Sequence, residues 1–531
     1  MYMELVMTLI SFQRTKGSLE QHMSMKQVLR SQMACGFTST WRTSLMPNLS
    51  PEQSAVIDLA RDTQDSLLVY SCAGSGKTTV LEATVPELRG TTAGVAFNHR
   101  VAKEMDSRCA AECRTINSFG HRAWSRHIGR GLKVNQSKLY EISNSLKDEI
   151  PFVIRAPAYR LAQLGKMRGI VPDEAPTPPH ILVPDLDETW HDMIEAYDLD
   201  YEIPKHMDRD EFFDEVLSAT RQLLTISIRE AWEGNIDFDD QIYCTATYRA
   251  PIQRYFNVLV DEAQDMSPIQ LELVRRMAGR KIGAGDKHQA IYGWRGALYT
   301  SMDTFSELFD AKPMPLTVSF RCPRAVVEYA RTFVDHIEAH PDAPEGTVNI
   351  YPDWNLGTLQ PGDTVLCRNN APIIRLAMKM LRDGRGANVI GRDIGKNLIR
   401  FARTFEAQDI TSFITSVENY EKLKRAEFIE RNKRYRIEAL EDRCQSLMAV
   451  AEGCEKLPEF YHRMESLFSD KTNLVSFSTI HKAKGLEWNR VFFYLPELLG
   501  KYAKTAEQQQ QELNLGYVAA TRAKMELNII A

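Results

Sequence analysis

The run Ser71-Cys72-Ala73-Gly74-Ser75-Gly76-Lys77-Thr78-Thr79 gathers two glycines, a lysine and several hydroxyls into one short segment. That combination does phosphate chemistry. Gly74 and Gly76 allow a close backbone approach that a Cβ would block, and the main-chain N–H groups of Ala73 through Thr79 can converge on a triphosphate. Lys77 supplies a point charge for the β- and γ-phosphates, and the Thr78 hydroxyl completes a Mg²⁺ shell. The common G-x-x-x-x-G-K-[ST] pattern has glycine where this chain has Ser71. An ordinary glycine–serine turn is the bland alternative, and the residues downstream argue against it.

Two further segments supply the missing chemistry. Val258-Leu259-Val260-Asp261-Glu262-Ala263-Gln264-Asp265 is an apolar strand that delivers adjacent carboxylates at its end. Asp261 suits a metal ligand and Glu262 a base for an attacking water, an effect typically worth about 10²–10⁴-fold. Gly285 to Ala297 then places Gln289, a candidate γ-phosphate sensor, close to Tyr292, Trp294 and Arg295. The two aromatic faces can stack unpaired bases, at ~1–3 kcal/mol per base and without regard to sequence.

These residues need strands and helices to hold them. Ser66 to Tyr70 reads as a strand and the pattern from Val80 as a helix, so the glycine run sits in a strand–turn–helix. Alternating apolar strands and amphipathic helices over 50–120 and 255–335 predict α/β layers around a parallel sheet. Residues 125–235 read as mainly helical, broken by the Ala175–Pro179 loop, and look like an insertion. A second α/β signal spans 345–405, with a strand at Asp363 to Cys367, and resumes at Asn473 to Phe477. The intervening 409–470 is helical. Its charged stretch Glu421 to Arg443, with an apolar stripe of Leu423, Phe428, Ile429, Tyr435, Ile437 and Leu440, reads as a solvated helix laced with ion pairs.

Composition bounds the function. A chain of 531 residues implies about three or four domains. It is 44% hydrophobic and 25% charged, as in soluble globular proteins. The formal charge of −5 means that a nucleic-acid site must be a local groove rather than a global field. Nine scattered cysteines suggest reduced thiols and a cytoplasmic setting. Cys109 and Cys113, followed by His121 and His127, have atypical spacing for zinc and read as plain thiols. No apolar run approaches the ~18 residues of a membrane span, and Met1 to Phe12 lacks the basic start of a signal peptide. Residues 1–47 carry no catalytic pattern and are read as an extension.

Taken in order, the segments resemble the UvrD/Rep-type superfamily 1 DNA helicases. Asn48-Leu49-Ser50-Pro51-Glu52-Gln53 is similar to the family's adenine-reading motif, with Gln53 as the amide. Ala96-Phe97-Asn98-His99-Arg100 is similar to a segment that touches single-stranded DNA, through Phe97 and Asn98. Thr115-Ile116-Asn117-Ser118-Phe119 corresponds to the next DNA-facing motif, where Thr115 and Ser118 face the strand and Asn117 replaces a usual His. Leu316 to Arg321 resembles the fourth motif. It gives Arg321 a γ-phosphate role, while Ser319 and Phe320 replace Asn and Tyr and Phe320 keeps the adenine stack. In Ser478 to Trp488, Thr479 and His481 would face DNA and Glu487 the ribose. Tyr517 to Ala523 supplies Arg522 as a second arginine finger.

The resemblance implies two RecA-like P-loop NTPase domains, each a parallel sheet flanked by helices, with helical insertions. The first would comprise 48–120 and 236–310, with 121–235 inserted. The second would comprise 311–408 and 472–531, with 409–471 as a reduced insertion. It further implies ATP and Mg²⁺ as cofactors, and single-stranded DNA and single/double-strand junctions as partners, while any protein loading partners are left open by the sequence. The activity expected is 3′→5′ translocation and unwinding. A DNA-stimulated ATPase that clamps or remodels protein–DNA complexes, or an RNA-directed enzyme of the same fold, are the competing readings.

Overall fold

A computed structural model describes residues 49–530 apart from 97, 177–178, 181, 197–202, 204–206, 292–299, 431–434, 470–472, 502 and 504–505. The extension at 1–47 and the candidates Phe97, Tyr292, Trp294 and Arg295 therefore lie outside the described residues.

Two six-stranded parallel sheets organise the chain. The first contains β1 (Leu67–Ser71), β2 (Thr92–Ala96), β3 (Glu112–Thr115), β4 (Asn257–Val260), β5 (Arg280–Gly285) and β6 (Lys312–Leu316). Its strand order is β3-β2-β4-β5-β1-β6, and every pairing is parallel. The second contains β7 (Thr347–Tyr351), β8 (Thr364–Cys367), β9 (Ala387–Val389), β10 (Val475–Thr479), β11 (Trp488–Tyr494) and β12 (Ala523–Ile530). These run in the order β7-β12-β11-β8-β10-β9, again all parallel. Central strands such as Leu67-Leu68-Val69 and Val258-Leu259-Val260 are buried on both faces, which is why they read as unbroken apolar runs rather than alternating ones. In the first sheet β1, β5 and β4 are consecutive neighbours, so the glycine loop, Asp286 and Asp261–Glu262 all emerge at one edge, outside the carboxyl ends of the strands.

Three boundaries differ from the sequence division. Strand β6, assigned to the second lobe, pairs with β1 and forms an edge of the first sheet. Pro313 and Pro315 cannot donate to a second neighbour, which confines β6 to an edge. The division at 120/121 cuts through the helix Ile116–Ile128, whose Ile116, Phe119, Ala123 and Trp124 share the core on one face of the first sheet. The helices Ile410–Glu430, Tyr435–Ala451 and Leu457–Leu467 are the outer layer of the second lobe rather than a separate insertion. Their Phe413, Val417, Leu447 and Phe460 lie in one core with Val365, Ile374 and Val475 of the second sheet and its flank. Of the predicted stripe, Phe428, Ile437 and Leu440 are buried, whereas Leu423 and Ile429 are exposed.

The helical segment between β3 and β4 has its own core around Leu161, Trp190, Phe212 and Leu224. A buried ionic network fastens that core to the turn and helix over 237–247, which pack on the first sheet. Lys138 Nζ lies 2.8 Å from Asp240, and Lys166 Nζ lies 2.6 Å from Asp237 and 2.7 Å from Asp240. Asp240 thus neutralises two ammonium groups that no water reaches. Removing one partner of such a network costs about 3–5 kcal/mol, because the remaining charges stay buried and unpaired. Asp240→Ala is therefore expected to lower the urea midpoint strongly and Asp240→Asn less so; a midpoint equal to that of the parent would contradict this role.

Candidate functional site

The glycine loop leads directly into the helix Lys77–Thr84. Gly74 and Gly76 both take positive φ, +77° and +80°, which only glycine adopts without strain. Gly76 occupies the N-cap position and offers no side-chain cap. The first-turn N–H groups are thus left to an anion, where the helix dipole also favours negative charge. A Cβ on Gly74 would stand 2.5 Å from Arg321 Cβ, so the two lobes meet closely at this loop.

Opposite the loop stand the two carboxylates. Thr78 Oγ1 donates to Asp261 at 2.8 Å, and Lys77 Nζ lies 3.3 Å from Glu262. Glu262 is held at φ +56°, an uncommon conformation for a residue with a side chain and one that clusters at functional sites. Burial, together with the charge of Glu262, pushes Asp261 up to about 6. Burial would raise Glu262 as well, but the ammonium groups of Lys77 and Lys484 outweigh it and hold that carboxyl at about 2. The site therefore concentrates negative charge beside a threonine hydroxyl. That is the hard-oxygen donor set a Mg²⁺ ion takes, and the residues present fit it.

The second lobe closes the other side. Lys484 Nζ sits 2.6 Å from Asp265 and donates to the Gln289 carbonyl at 2.6 Å. Gln289 Nε2 donates to Asp286 at 2.7 Å, and its Oε1 lies 3.5 Å from an Arg522 nitrogen. Arg522 is fully buried, and that burial, with the Arg321 charge nearby, pulls it down to about 10. Arg321 pairs with Glu487 at 2.6 Å, and Lys524 reaches the same carboxylate at 3.4 Å. The structure thus brings Lys77, Thr78, Asp261, Glu262, Gln289, Arg321 and Arg522 to one cleft. Glu487, expected at a ribose, here holds Arg321.

Other predicted residues are engaged locally. Gln53 Nε2 donates to Ser75 O at 2.9 Å and its Oε1 accepts from Ser50 N at 3.0 Å, so this amide both caps the helix Pro51–Asp62 and braces the loop. Phe320 is exposed beside His340, with ring centroids 4.8 Å apart. Asn98 caps the helix His99–Arg108 by accepting from Val101 N at 3.0 Å. Thr115 does the same for Ile116–Ile128 by accepting from Ser118 N, and its hydroxyl lies 3.0 Å from that of Ser118. Thr479 ends β10 buried, and half-buried His481 follows it. Cys109 and Cys113 lie with their sulfurs 3.5 Å apart, and no group of three potential metal ligands occurs among the described residues.

Sequence reasoning missed the residues that join these parts. Gln264 donates to Glu262 and accepts from Asp286 N at 3.0 Å, linking the carboxylate to the sensor loop. Lys484, Asp265 and Asn514 also act across the lobes. Lys484 lies within the Ser478–Trp488 motif, and its bracketing by Ala483 and Gly485 is the only local signal it gave.

Residues 49–310 match the UvrD/REP helicase N-terminal domain, and residues 392–531 match the UvrD-like helicase C-terminal domain. The chain belongs to the UvrD/REP helicase family. Among its relatives is F-box DNA helicase protein 1 of Schizosaccharomyces pombe, 24% identical over 529 residues, 90% of this chain and 57% of that protein. DNA helicase II of Escherichia coli K12 is 24% identical over 326 residues, and PcrA of Staphylococcus epidermidis 25% over 320. Each alignment takes in 55% of this chain and 41% of the relative. The chain thus spans about half the length of the curated relatives it matches. The arterivirus nonstructural protein 10 helicase superposes with a TM-score of 0.32 at 13% identity, covering 90% of this chain and 62% of that chain. No described helix is long and apolar enough to cross a membrane.

The UvrD-type carboxylates make a pH prediction. Asp261 is a weaker acid in the fold than in the unfolded chain, so its contribution to stability falls as pH rises from the ordinary 3.8 to about 6. A cation beside it relieves that penalty. Mg²⁺ is therefore expected to raise the melting temperature above pH 6 and to lose this effect as Asp261 protonates. Asp261→Asn should abolish the response at every pH. A Mg²⁺ shift that persists in Asp261→Asn would contradict the assignment.

Proposed function

We propose that this chain is an ATP-driven translocase on single-stranded DNA that unwinds duplexes at single/double-strand junctions, travelling 3′→5′ as the family resemblance implies. The observation that carries the proposal is the seating of second-lobe Lys484 and Arg522 on first-lobe Asp265, which closes the acidic turn, and on Gln289. Hydrolysis and lobe position then share one set of contacts.

The chain's own groups account for the chemistry in sequence. An arriving triphosphate settles on the N–H groups of 74–79 and draws Lys77 to its β- and γ-oxygens. That motion takes from Glu262 one of the two cations holding it ionised and strongly hydrogen-bonded. Glu262 is then a better base, able to orient a water and accept its proton. Thr78 and Asp261 would hold a magnesium ion, which supplies charge neutralisation at the phosphate oxygens. Arg321 leaves Glu487 for the γ-phosphate, and Arg522, already at Gln289, stabilises developing charge when the cleft is shut. Phe320, with His340 behind it, offers a face to adenine, and Gln53 retains one N–H for the base edge. Thr115, Ser118, Thr479 and His481 lie at the carboxyl ends of β3 and β10, one set on each lobe. A strand gripped by both sets moves relative to one of them each time the cleft closes.

Lys77→Ala is expected to lose ATP turnover altogether. Glu262→Gln should still bind ATP and DNA yet hydrolyse about 10²–10⁴-fold more slowly. On tailed duplexes of both polarities, the parent should displace the strand from a 3′ tail and only with ATP. ATP turnover stimulated by single-stranded DNA without any displacement would favour the clamp reading, and stronger stimulation by RNA than by DNA would favour the RNA reading.

A further inference from the structure

The phosphate loop is held from behind by the second lobe. Ala73 is fully buried, so while the lobes are docked neither its N–H nor its C=O can turn to water when a protein partner is lost. The N–H donates to the Tyr517 hydroxyl at 2.8 Å, across 444 residues of sequence. The C=O accepts from Ser319 Oγ at 2.7 Å. The next carbonyl, that of Gly74, accepts from Phe320 N at 2.9 Å. Both main-chain groups of one loop residue are thus satisfied from outside its own sheet, by a second-lobe helix and by the segment leading from β6 into the second lobe, immediately before the glycines whose φ angles set the direction of the phosphate-facing N–H groups.

Tyr517 does not act alone on its helix. It lies on Ala506–Ala520 three residues after Asn514, hence on the same face. Asn514 Nδ2 donates to Ala290 O at 3.0 Å, at the end of the sensor loop. One helix therefore touches the phosphate loop and the sensor loop together, and Arg522 follows it onto Gln289. Ser319 stands where the family usually has Asn. Its short hydroxyl reaches the Ala73 carbonyl and also accepts from Cys322 N at 3.3 Å, within a fully buried site.

We propose that Tyr517 and Ser319 are positioning residues through which the second lobe sets the conformation of the phosphate loop, so that the loop is shaped for catalysis only while the lobes are docked. The proposal rests on the ATPase reading above. Separation of the lobes would take from Ala73 the hydroxyls that fix its N–H and C=O and open both groups to water. The loop would then relax, with the freedom of Gly74 and Gly76 permitting the peptides to turn. Docking of the second lobe, which DNA binding favours, restores both bonds at once. Neither side chain touches the nucleotide in this scheme; each acts through the Ala73 backbone.

Tyr517→Phe deletes only the hydroxyl and keeps the ring that packs beside His288. Tyr517→Phe and Ser319→Ala are each expected to lower the DNA-stimulated kcat for ATP by about three- to ten-fold, the range of one net hydrogen bond. KM for ATP should stay within about two-fold, and thermal melting should fall by no more than the loss of one buried hydrogen bond allows. The double variant should lose less than the product of the two single losses, because both act on one residue. Unchanged DNA-stimulated kcat in both variants would overturn the proposal, as would equal losses with and without DNA, which mark a purely local role in the loop. A variant that melts early is judged by the other, whose kcat must fall for the proposal to stand. Absence of DNA stimulation in the parent would instead overturn the function proposed above, so the two failures are distinguishable.

Discussion

Two adjacent carboxylates at the end of one strand, Asp261 buried and Glu262 half-buried, need compensating charge, and the rest of the architecture follows from that need. At about 4 Å and an effective dielectric near 20, each charge pair is worth on the order of 4 kcal/mol, so Asp261 and Glu262 cannot stay ionised side by side without cations. Glu262 has two that lower it, Lys77 from the phosphate loop and Lys484 from the opposite lobe. The parallel order β4-β5-β1 brings the first within reach, and docking of the second lobe brings the other. On the function proposed above, charge balance in the site is tied to whether the cleft is open or shut, and a triphosphate that takes Lys77 for itself changes that balance.

The seam between the lobes is built to respond. Cys72, Ala73 and Ile291 of the first lobe share one apolar cluster with Leu366, Tyr517, Val518 and Ile529 of the second. Among the described residues its polar crossings, at Ser319, Phe320, Lys484, Asn514, Tyr517 and Arg522, leave few arrangements that satisfy every buried group. Such a seam shifts between discrete states instead of deforming gradually, as packed interfaces generally do. Away from the seam, the Lys138–Lys166–Asp237–Asp240 network ties the helical segment to the helix Asp240–Thr247, which packs on the first sheet.

What the sequence made legible was local. The strand–glycine–helix order around Lys77, the acidic strand end at Asp261 and the double α/β alternation are each written in neighbouring residues, and the structure bears out the parallel-sheet architecture. Residues that act across the fold were not legible. Tyr517 reads as an apolar helix position until the structure puts its hydroxyl on Ala73. Gln264 is one more polar residue in an acidic turn until its amide is seen bridging Glu262 and Asp286. Arg321 carries a motif signature but no sign that it rests on Glu487. The prolines of β6 were visible, yet only strand order says which sheet that strand closes. The helices over 410–467 read as a reduced insertion because the resembled family carries an inserted domain at that place, whereas Phe413, Leu447 and Phe460 bury one side of each against the second sheet.

The central claim is that nucleotide state and lobe position are one variable. Distances between spin labels placed at the exposed positions Asp58, on the first lobe, and Asp342, on the second, test it directly. At least two distance populations are expected, with a ratio that moves when single-stranded DNA and Mg·ATP are added to the slowly hydrolysing Glu262→Gln protein and moves back with ADP. One distance population, unchanged by any of these additions, would contradict it.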